Sequence, residues 1–383
     1  MKKYDYIFIG AGCAGLSLLT RMVAAGLAGG KRILVIDKSG KHTNDRTWCF
    51  WEASPGFFEP VVCKQWDRLW FHATGFSRQL DTAPYRYKMI QAIDFYNHCF
   101  QRIKNTAGIE IVHGTVSQLS FAGDIVHLAI DGQPHFFPGA TVFNSLWDEA
   151  TIKKQHAVYL LQHFKGWMIE TPAPFFTPSE ATLMDFRVSQ ANGTTFAYVL
   201  PLSATKALVE FTLFSEKLLK EEDYNNGLTN YLHHQLQLRD YTISATEFGV
   251  IPMTDARFPW YANGMFHIGT AGGQTKASSG YTFQFIQKQT AAIVQQLLQG
   301  SFGPLNKPGG SAKRYQFYDA VLLHVLAHQY ASGSEVFSTL FKKNSPQAIF
   351  AFLDNETTRW QDLGIISTLP TLPFLKAALK QLF

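Results

Sequence analysis

"YDYIFIGAGCAGLSLLTRMVAAG", residues 4–26, is a short apolar run followed by three spaced glycines and an amphipathic continuation. The run predicts a buried strand and the continuation a helix, with a tight turn between them. Gly10, Gly12 and Gly15 complete the pattern GxGxxG. The first glycine permits the turn, the second lets a pyrophosphate approach the backbone, and the third lets the helix pack against the strand. The helix start then offers amide donors and a positive dipole to the phosphates. "KRILVID" (31–37) reads as the next strand, and its Asp37 stands 22 residues beyond Gly15, where an acid accepts hydrogen bonds from ribose hydroxyls. A glycine-rich turn without a ligand would need neither the flanking elements nor the acid, so these residues read as a dinucleotide site.

That motif serves FAD and NAD alike. A second glycine cluster, "MFHIGTAGGQTKASSGYTF" (265–283), separates them: it reads as a strand, a loop holding Gly269, Gly272 and Gly273, and the start of a helix that continues through "QFIQKQTAAIVQQLLQ". Flavoproteins built on two dinucleotide-binding folds bring a late strand and helix start back over the ribityl and flavin end of FAD. No second GxGxxG is present for a separately bound nicotinamide, so FAD is the expected cofactor. Between the clusters, "FKGWMIETPAPFF" and "TTFAYVLPL" show aromatic density and short strand-like runs without a repeating βα rhythm. The expected layout is an α/β, Rossmann-like flavoprotein, with an FAD-binding domain from residues 1–60, 86–150 and 245–300. An antiparallel β substrate domain (61–85 and 151–244) is inserted into it. After the loop "GPLNKPGG" (303–310), residues 301–383 have helical spacing and form a C-terminal helical cap.

Composition narrows the function. Charged residues are 16% of the 383, below the roughly 25% of an average soluble protein, while aromatic residues are 14%. That balance points to apolar cavities or an apolar surface, hence to a greasy ligand or a membrane. A net charge of +5 without long basic runs gives nucleic-acid binding little support. Cys13, Cys49, Cys63 and Cys99 show no CxxC spacing and fit a reducing cytoplasm. Asp5 and the glycines argue against a cleaved leader at the start, and no apolar stretch reads as a spanning helix, so any membrane contact should be peripheral, at the inner face of the cell membrane.

"ALVEFTLF" (207–214) poses the chemical question. On a strand Leu208, Glu210, Thr212 and Phe214 share one face and Ala207, Val209, Phe211 and Leu213 the other, so Glu210 sits in a hydrophobic layer either way. It reads as a hydrogen-bonded structural acid or as a catalyst. Arg46 suits either an ion pair with Asp45 or Glu52 or a contact to a phosphate or flavin. Trp48, Phe50 and Trp51 read as packing beneath the flavin. Asp185 and Arg187, two apart, suit a structural ion pair. Lys276, Ser278 and Ser279 suit the flavin or the cap of the following helix. His324 and His328 have the spacing of two metal ligands, but HExxH and a third ligand are missing, so no metal site is expected.

Several strings now form a pattern in order: "NDRTWCFW" (44–51), "YRYKMIQAIDFY" (85–96), "LLQHFKGWMIET" (160–171), "LMDFR" (183–187), "LVEFT" (208–212), "GVIPMT" (249–254) and "GTAGGQTKASSGYTF" (269–283), with "AFLDNETTRWQDLGIISTLPTLPFLKAAL" as the tail. Together they resemble the flavin-dependent lycopene cyclases of the bacterial and plant type. The resemblance implies an enzyme that closes the ends of the linear carotene lycopene into β-ionone rings, an isomerisation without net electron transfer. It also implies reduced FAD as the working cofactor, NAD(P)H as its reductant, and Glu210 as the catalytic acid. Where the plant enzymes carry a second Glu after that acid and several bacterial ones an Asp, this chain has Phe211. A second acid or base must then come from elsewhere, Asp185 and Glu247 being the candidates. The rivals are an FAD monooxygenase or isoprenoid double-bond reductase on the same scaffold, and a non-enzymatic flavin or carotene carrier. One or two rings, β or ε rings, and oligomeric state stay open at this level.

Overall fold

The strand expected within residues 4–26 is Tyr6–Ile9, buried on both faces. Tyr6 and Phe8 enter one core while Ile7 and Ile9 enter another, the two-residue alternation of a strand enclosed by layers. In the computed structural model, which describes residues 2–155, 157–262, 264–301 and 310–382, this strand is central to a six-stranded sheet. The order is Tyr261–Ala262, Met265–His267, Thr141–Asn144, Tyr6–Ile9, Ile33–Asp37 and Ile109–His113, parallel except at the first pair. Helices Cys13–Ala24, Ala92–Ile103 and Phe283–Leu298 supply the core on one face. The other face is covered by a small antiparallel sheet, Val116–Ala122, Ile125–Ile130 and Gln133–Pro138, which the sequence reading did not separate from the surrounding domain.

The glycines behave as their spacing requires. Gly10 adopts a φ of +99°, open to glycine and strained for other residues. A Cβ on Gly15 would collide with the carbonyl of Gly10, whereas a Cβ on Gly12 would meet nothing within 4 Å. Gly15 therefore serves packing, and Gly12 leaves room for a ligand.

A seven-stranded sheet forms the second unit: Thr242–Thr254, Tyr159–Glu170, Lys206–Ser215, Thr194–Pro201, Glu180–Asp185, Arg68–Ala73 and Phe76–Asp81. It is antiparallel except where Glu180–Asp185 meets Arg68–Ala73. The strand Thr242–Thr254 pairs along Tyr159–Glu170, so the substrate sheet runs past the expected boundary at 244. A three-stranded sheet, Thr47–Glu52, Arg86–Gln91 and Lys64–Trp66, links the two units. Helices Gly310–Ala327, Gly333–Lys343, Pro346–Leu353, Arg359–Ile366 and Thr371–Leu382 form the expected helical region. Their Leu323, Phe337, Phe341 and Phe350 share a core with Leu208 and Phe214 of the second sheet. The loop "GPLNKPGG" lies almost wholly outside the described residues.

Gly15→Ala is expected to lower the unfolding free energy by about 1–3 kcal/mol, because overpacking at a backbone carbonyl cannot relax. Gly12→Ala should change it by no more than about 1 kcal/mol, the preference for glycine over alanine at a helix start. Urea titration of the two variants distinguishes the two roles.

Candidate active site

One cavity of about 950 Å³, near the upper end of ligand pockets, touches both units. The first sheet and its loops contribute Gly10, Gly12, Asp37, Lys41 and Arg46 to its lining, and the seven-stranded and linking sheets contribute Tyr87, Gln162, Tyr198, Glu210 and Glu247. Gly269, from the second glycine cluster, also lines it, and a Cβ there would press on Ala14 of the first helix. The late segment thus returns to the first, as expected from sequence. Gln287 completes the junction, donating to Ser17 Oγ at 3.1 Å and accepting from Arg21 at 3.1 Å.

The dinucleotide end is organised by Asp37. Its carboxylate accepts from the Ala11 amide at 2.6 Å and the Ser39 amide at 2.8 Å, and pairs with Lys41 at 3.3 Å. Burial alone would raise its pKa, but these donors override it and hold Asp37 below the usual carboxylate range. It stays an acceptor at the cavity edge, as a ribose-binding acid must. Arg46 reaches the same cavity rather than an ion pair: Glu52 is taken by Lys88 at 2.8 Å, and Asp45 accepts from Tyr96 at 2.9 Å. Ser279 also lines the cavity, with a buried hydroxyl that has no protein partner. This donor set, with the open space above Gly12, fits a dinucleotide.

In the seven-stranded sheet, two strands carry acids to one point. On the central strand Gly166 pairs with Glu210 on one side and with Glu247 on the other. Directly paired residues point to the same face, so both side chains rise beside the bare Gly166 backbone. A Cβ on Gly166 would stand 2.9 Å from Glu247 Cγ and 3.1 Å from Glu210 Cγ, so glycine makes room for the pair. Thr47 Oγ1 donates to Glu247 Oε2 at 2.7 Å, while the buried Oε1 has no partner besides the Glu210 carboxyl. Burial, then the Glu247 charge and its hydrogen bond, push the Glu210 pKa well above the ordinary value, and no cation offsets them. Glu210 is therefore held as a neutral acid. Tyr198, its direct cross-strand partner, and Tyr281 stand near it, and Tyr87 follows, its phenol 3.3 Å from that of Tyr281. Burial pushes their pKa values up as well, so they present neutral rings.

Several expectations are corrected. Asp185 does not line the cavity: it is wholly buried, bound twice by the Arg187 guanidinium at 2.7 and 2.9 Å, and accepts from Tyr231 at 2.9 Å. It is the structural ion pair. Lys276 is far from a flavin role, bridging to Asp319 at 2.7 Å and Asn355 at 2.9 Å in the helical region. The following helix starts at Thr282 without a side-chain cap, so none of Lys276, Ser278 and Ser279 caps it. Gly272 and Gly273 turn the chain behind Gly269 and do not line the cavity. Trp48 lines it and Phe50 stacks on Phe283 behind it, but Trp51 stacks on Phe350 of the helical region. The rings of His324 and His328 stack 4.0 Å apart, and among the described residues no group of three His, Cys, Asp or Glu is placed to hold a metal ion. Sequence reading missed Gly166, Thr47 and the three tyrosines. Only Gly166, a lone glycine in a bulky strand, carried a signal.

A dinucleotide cradle sharing its chamber with a neutral buried acid is the architecture of an α/β flavoenzyme, and solved structures agree on the fold. The chain superposes on a flavoprotein/dehydrogenase from Cytophaga hutchinsonii with a TM-score of 0.62, at 13% identity over 100% of this chain and 99% of that one. It matches a geranylgeranyl bacteriochlorophyll reductase-like protein from Thermoplasma acidophilum with a TM-score of 0.58, at 12% identity over 100% and 99%. A flavin-dependent brominase gives 0.61 at 13% identity over 92% and 94%. The chain belongs to the lycopene cyclase family, whose description, "Lycopene cyclase protein", matches residues 5–379. It is 30% identical to the lycopene beta-cyclase of Paracoccus sp. (strain N81106 / MBIC 01143) over 167 residues, 42% of this chain and 40% of that protein. It is 25% identical to the lycopene beta-cyclase of Pantoea ananas over 296 residues, 73% of this chain and 71% of that protein.

The folded Glu210 carboxyl keeps its proton above the pH at which the unfolded chain releases it. Wild-type stability should therefore fall as pH rises from about 4.5, the ordinary glutamate value, until the folded group ionises. Glu210→Gln lacks that loss, so its melting temperature should gain on wild type as pH increases. A difference that stays flat with pH would show that Glu210 titrates as it does in water.

Proposed function

We propose that the chain is a lycopene beta-cyclase that closes the linear ψ ends of lycopene into β-ionone rings by acid–base catalysis, without net redox change. The observation that carries this reading is Glu210, a neutral acid in the wall of the same cavity as the dinucleotide cradle. Gly10, Gly12, Asp37, Arg46 and Gly269 would hold FAD, with NAD(P)H as the reductant that brings it to the working state. Bound reduced flavin supplies electron density that stabilises a nearby cation electrostatically.

The chain's own residues account for the proton chemistry. Glu210 gives its proton to the terminal trisubstituted alkene, forming a C–H bond and a tertiary cation. The next double bond attacks that cation and closes the ring. Glu247, which shares the face above Gly166, takes the proton from the ring carbon as the new double bond forms. Transfer from Glu247 to Glu210 restores the starting state, so the cycle consumes nothing. Apolar walls exclude water that would trap the cation, and the tyrosine rings offer it π-faces. A carotene is insoluble in water, so delivery from a membrane met peripherally at its cytoplasmic side completes the reading. No helix of the described residues is long and apolar enough to cross a bilayer.

Product analysis in lycopene-accumulating bacterial cells tests the assignment. Wild type should yield ring-closed carotenes, and Glu210→Gln should leave lycopene linear while binding FAD normally. Glu247→Gln should lower turnover by about 10²-fold or more, the usual contribution of a general base. Linear lycopene from wild type with bound, reducible FAD would overturn the reading. Stoichiometric NAD(P)H consumption would favour a reductase or monooxygenase instead.

A further inference from the structure

Fourteen large hydrophobic side chains stand exposed among the described residues, and five of them fall between Trp360 and Leu379. That clustering separates them from scattered surface leucines. On helix Thr371–Leu382 the inner face is already used: Phe374, Ala377 and Ala378 pack in a core with Val321 and Val325 of helix Gly310–Ala327. The outward face should then be polar. It carries Leu372, Leu375 and Leu379 instead, interleaved with Lys376 and Lys380. Leu372 is 79% exposed. The preceding helix Arg359–Ile366 repeats the pattern, burying Asp362 and Ile365 and exposing Leu363 and Trp360, the latter to 83%.

Charge selects the occupant. Within residues 359–381 the only acid is Asp362, which is buried and paired with Arg314 at 2.7 Å. The exposed charges there, Arg359, Lys376 and Lys380, are all basic, and Lys343 reaches the connecting turn through the Thr368 carbonyl at 3.2 Å. Leucines and a tryptophan beside lysines are the make-up of a helix lying in the headgroup region of an anionic bilayer. A two-fold contact between copies of this chain would set Lys376 and Lys380 against their own kind, with no acid on the face to offset them. The surface is also tied to the cavity. Gln381 donates to Asp255 at 3.4 Å, and Asp255 follows the strand Thr242–Thr254, whose exposed Phe248 and Val250 line the cavity about 20 Å along it.

We infer that the outer faces of Arg359–Ile366 and Thr371–Leu382 dock the protein on an anionic lipid surface, with Trp360, Leu363, Leu372, Leu375 and Leu379 inserted and Arg359, Lys376 and Lys380 on lipid phosphates. The purpose of docking rests on the carotene reading, but the surface does not. The test is co-sedimentation with phosphatidylglycerol/phosphatidylethanolamine vesicles and with phosphatidylcholine vesicles, together with quenching of tryptophan fluorescence by brominated lipid.

Wild type should bind the anionic vesicles at least tenfold more tightly than the neutral ones. Leu372→Glu/Leu375→Glu should weaken that binding at least tenfold without lowering the melting temperature. Trp360→Phe should remove most of the brominated-lipid quenching, and Lys376→Gln/Lys380→Gln should erase the anionic preference. Unchanged vesicle binding by the folded leucine double variant, or unchanged quenching in Trp360→Phe, would overturn the inference. So would loss of self-association in the leucine variant with vesicle binding intact, which would assign the face to a second copy. Activity on detergent-dispersed lycopene is read separately: vesicle binding without cyclisation would overturn the carotene reading and leave the docking surface standing.

Discussion

A carboxyl pair enclosed by a sheet is the constraint around which this molecule is arranged. Burying one ionised carboxylate without a partner is too costly to survive folding, and two side by side compound the penalty. The structure resolves this by keeping a proton on Glu210 and anchoring Glu247 through Thr47. Gly166 between them is the steric condition, because any side chain at that position would occupy the space of both Cγ atoms. Three strands must hold their register for the arrangement to exist, and the long pairings of Tyr159–Glu170 with both neighbours supply it.

The same constraint explains the layers. A neutral acid needs apolar surroundings, and the strands Lys206–Ser215 and Thr194–Pro201 of the second sheet are accordingly covered on both faces. Val209, Phe211 and Leu213 pack toward Tyr224 and Leu228, while Leu208 and Phe214 pack toward Phe337 of the helical region. Ion pairs away from the cavity do the fastening. Lys276 to Asp319 joins the second glycine loop to helix Gly310–Ala327, and Asp185 to Arg187 fixes a strand end. Three of the residues with a buried polar atom left without an ordinary hydrogen-bond partner, Gln162, Glu247 and Ser279, line the cavity, where a ligand or substrate would meet them.

Much of this was legible in the chain. GxGxxG, the acid after the second strand and the late glycine cluster are short-range patterns whose geometry follows from local sterics, and Gly10, Gly12, Asp37 and Gly269 line one cavity. The alternation in "ALVEFTLF" was equally local, and it placed Glu210 between two apolar layers as expected. Ion pairing of Asp185 with Arg187 was visible from their spacing, although the strand ends at Asp185 and Arg187 lies just beyond it. Roles that depend on distant partners were not legible. Lys276 finds its acid 43 residues away, Trp51 finds Phe350, and the boundary at 244 dissolves because Thr242–Thr254 pairs with a strand far upstream.

The partner of Glu210 shows where the division falls. Sequence alone determined the glycine-rich turns and the acid after the second strand, the presence of an acid in a hydrophobic strand, and the absence of an acid at the next position, because period, steric freedom and composition are properties of neighbouring residues. Phe211 turns to the opposite face and packs against Gly227, so an acid there could not have shared a face with Glu210. Only the tertiary structure decided that the second carboxylate is Glu247, 37 residues onward, since strand register is set by the summed packing of whole sheets and not by any string along the chain.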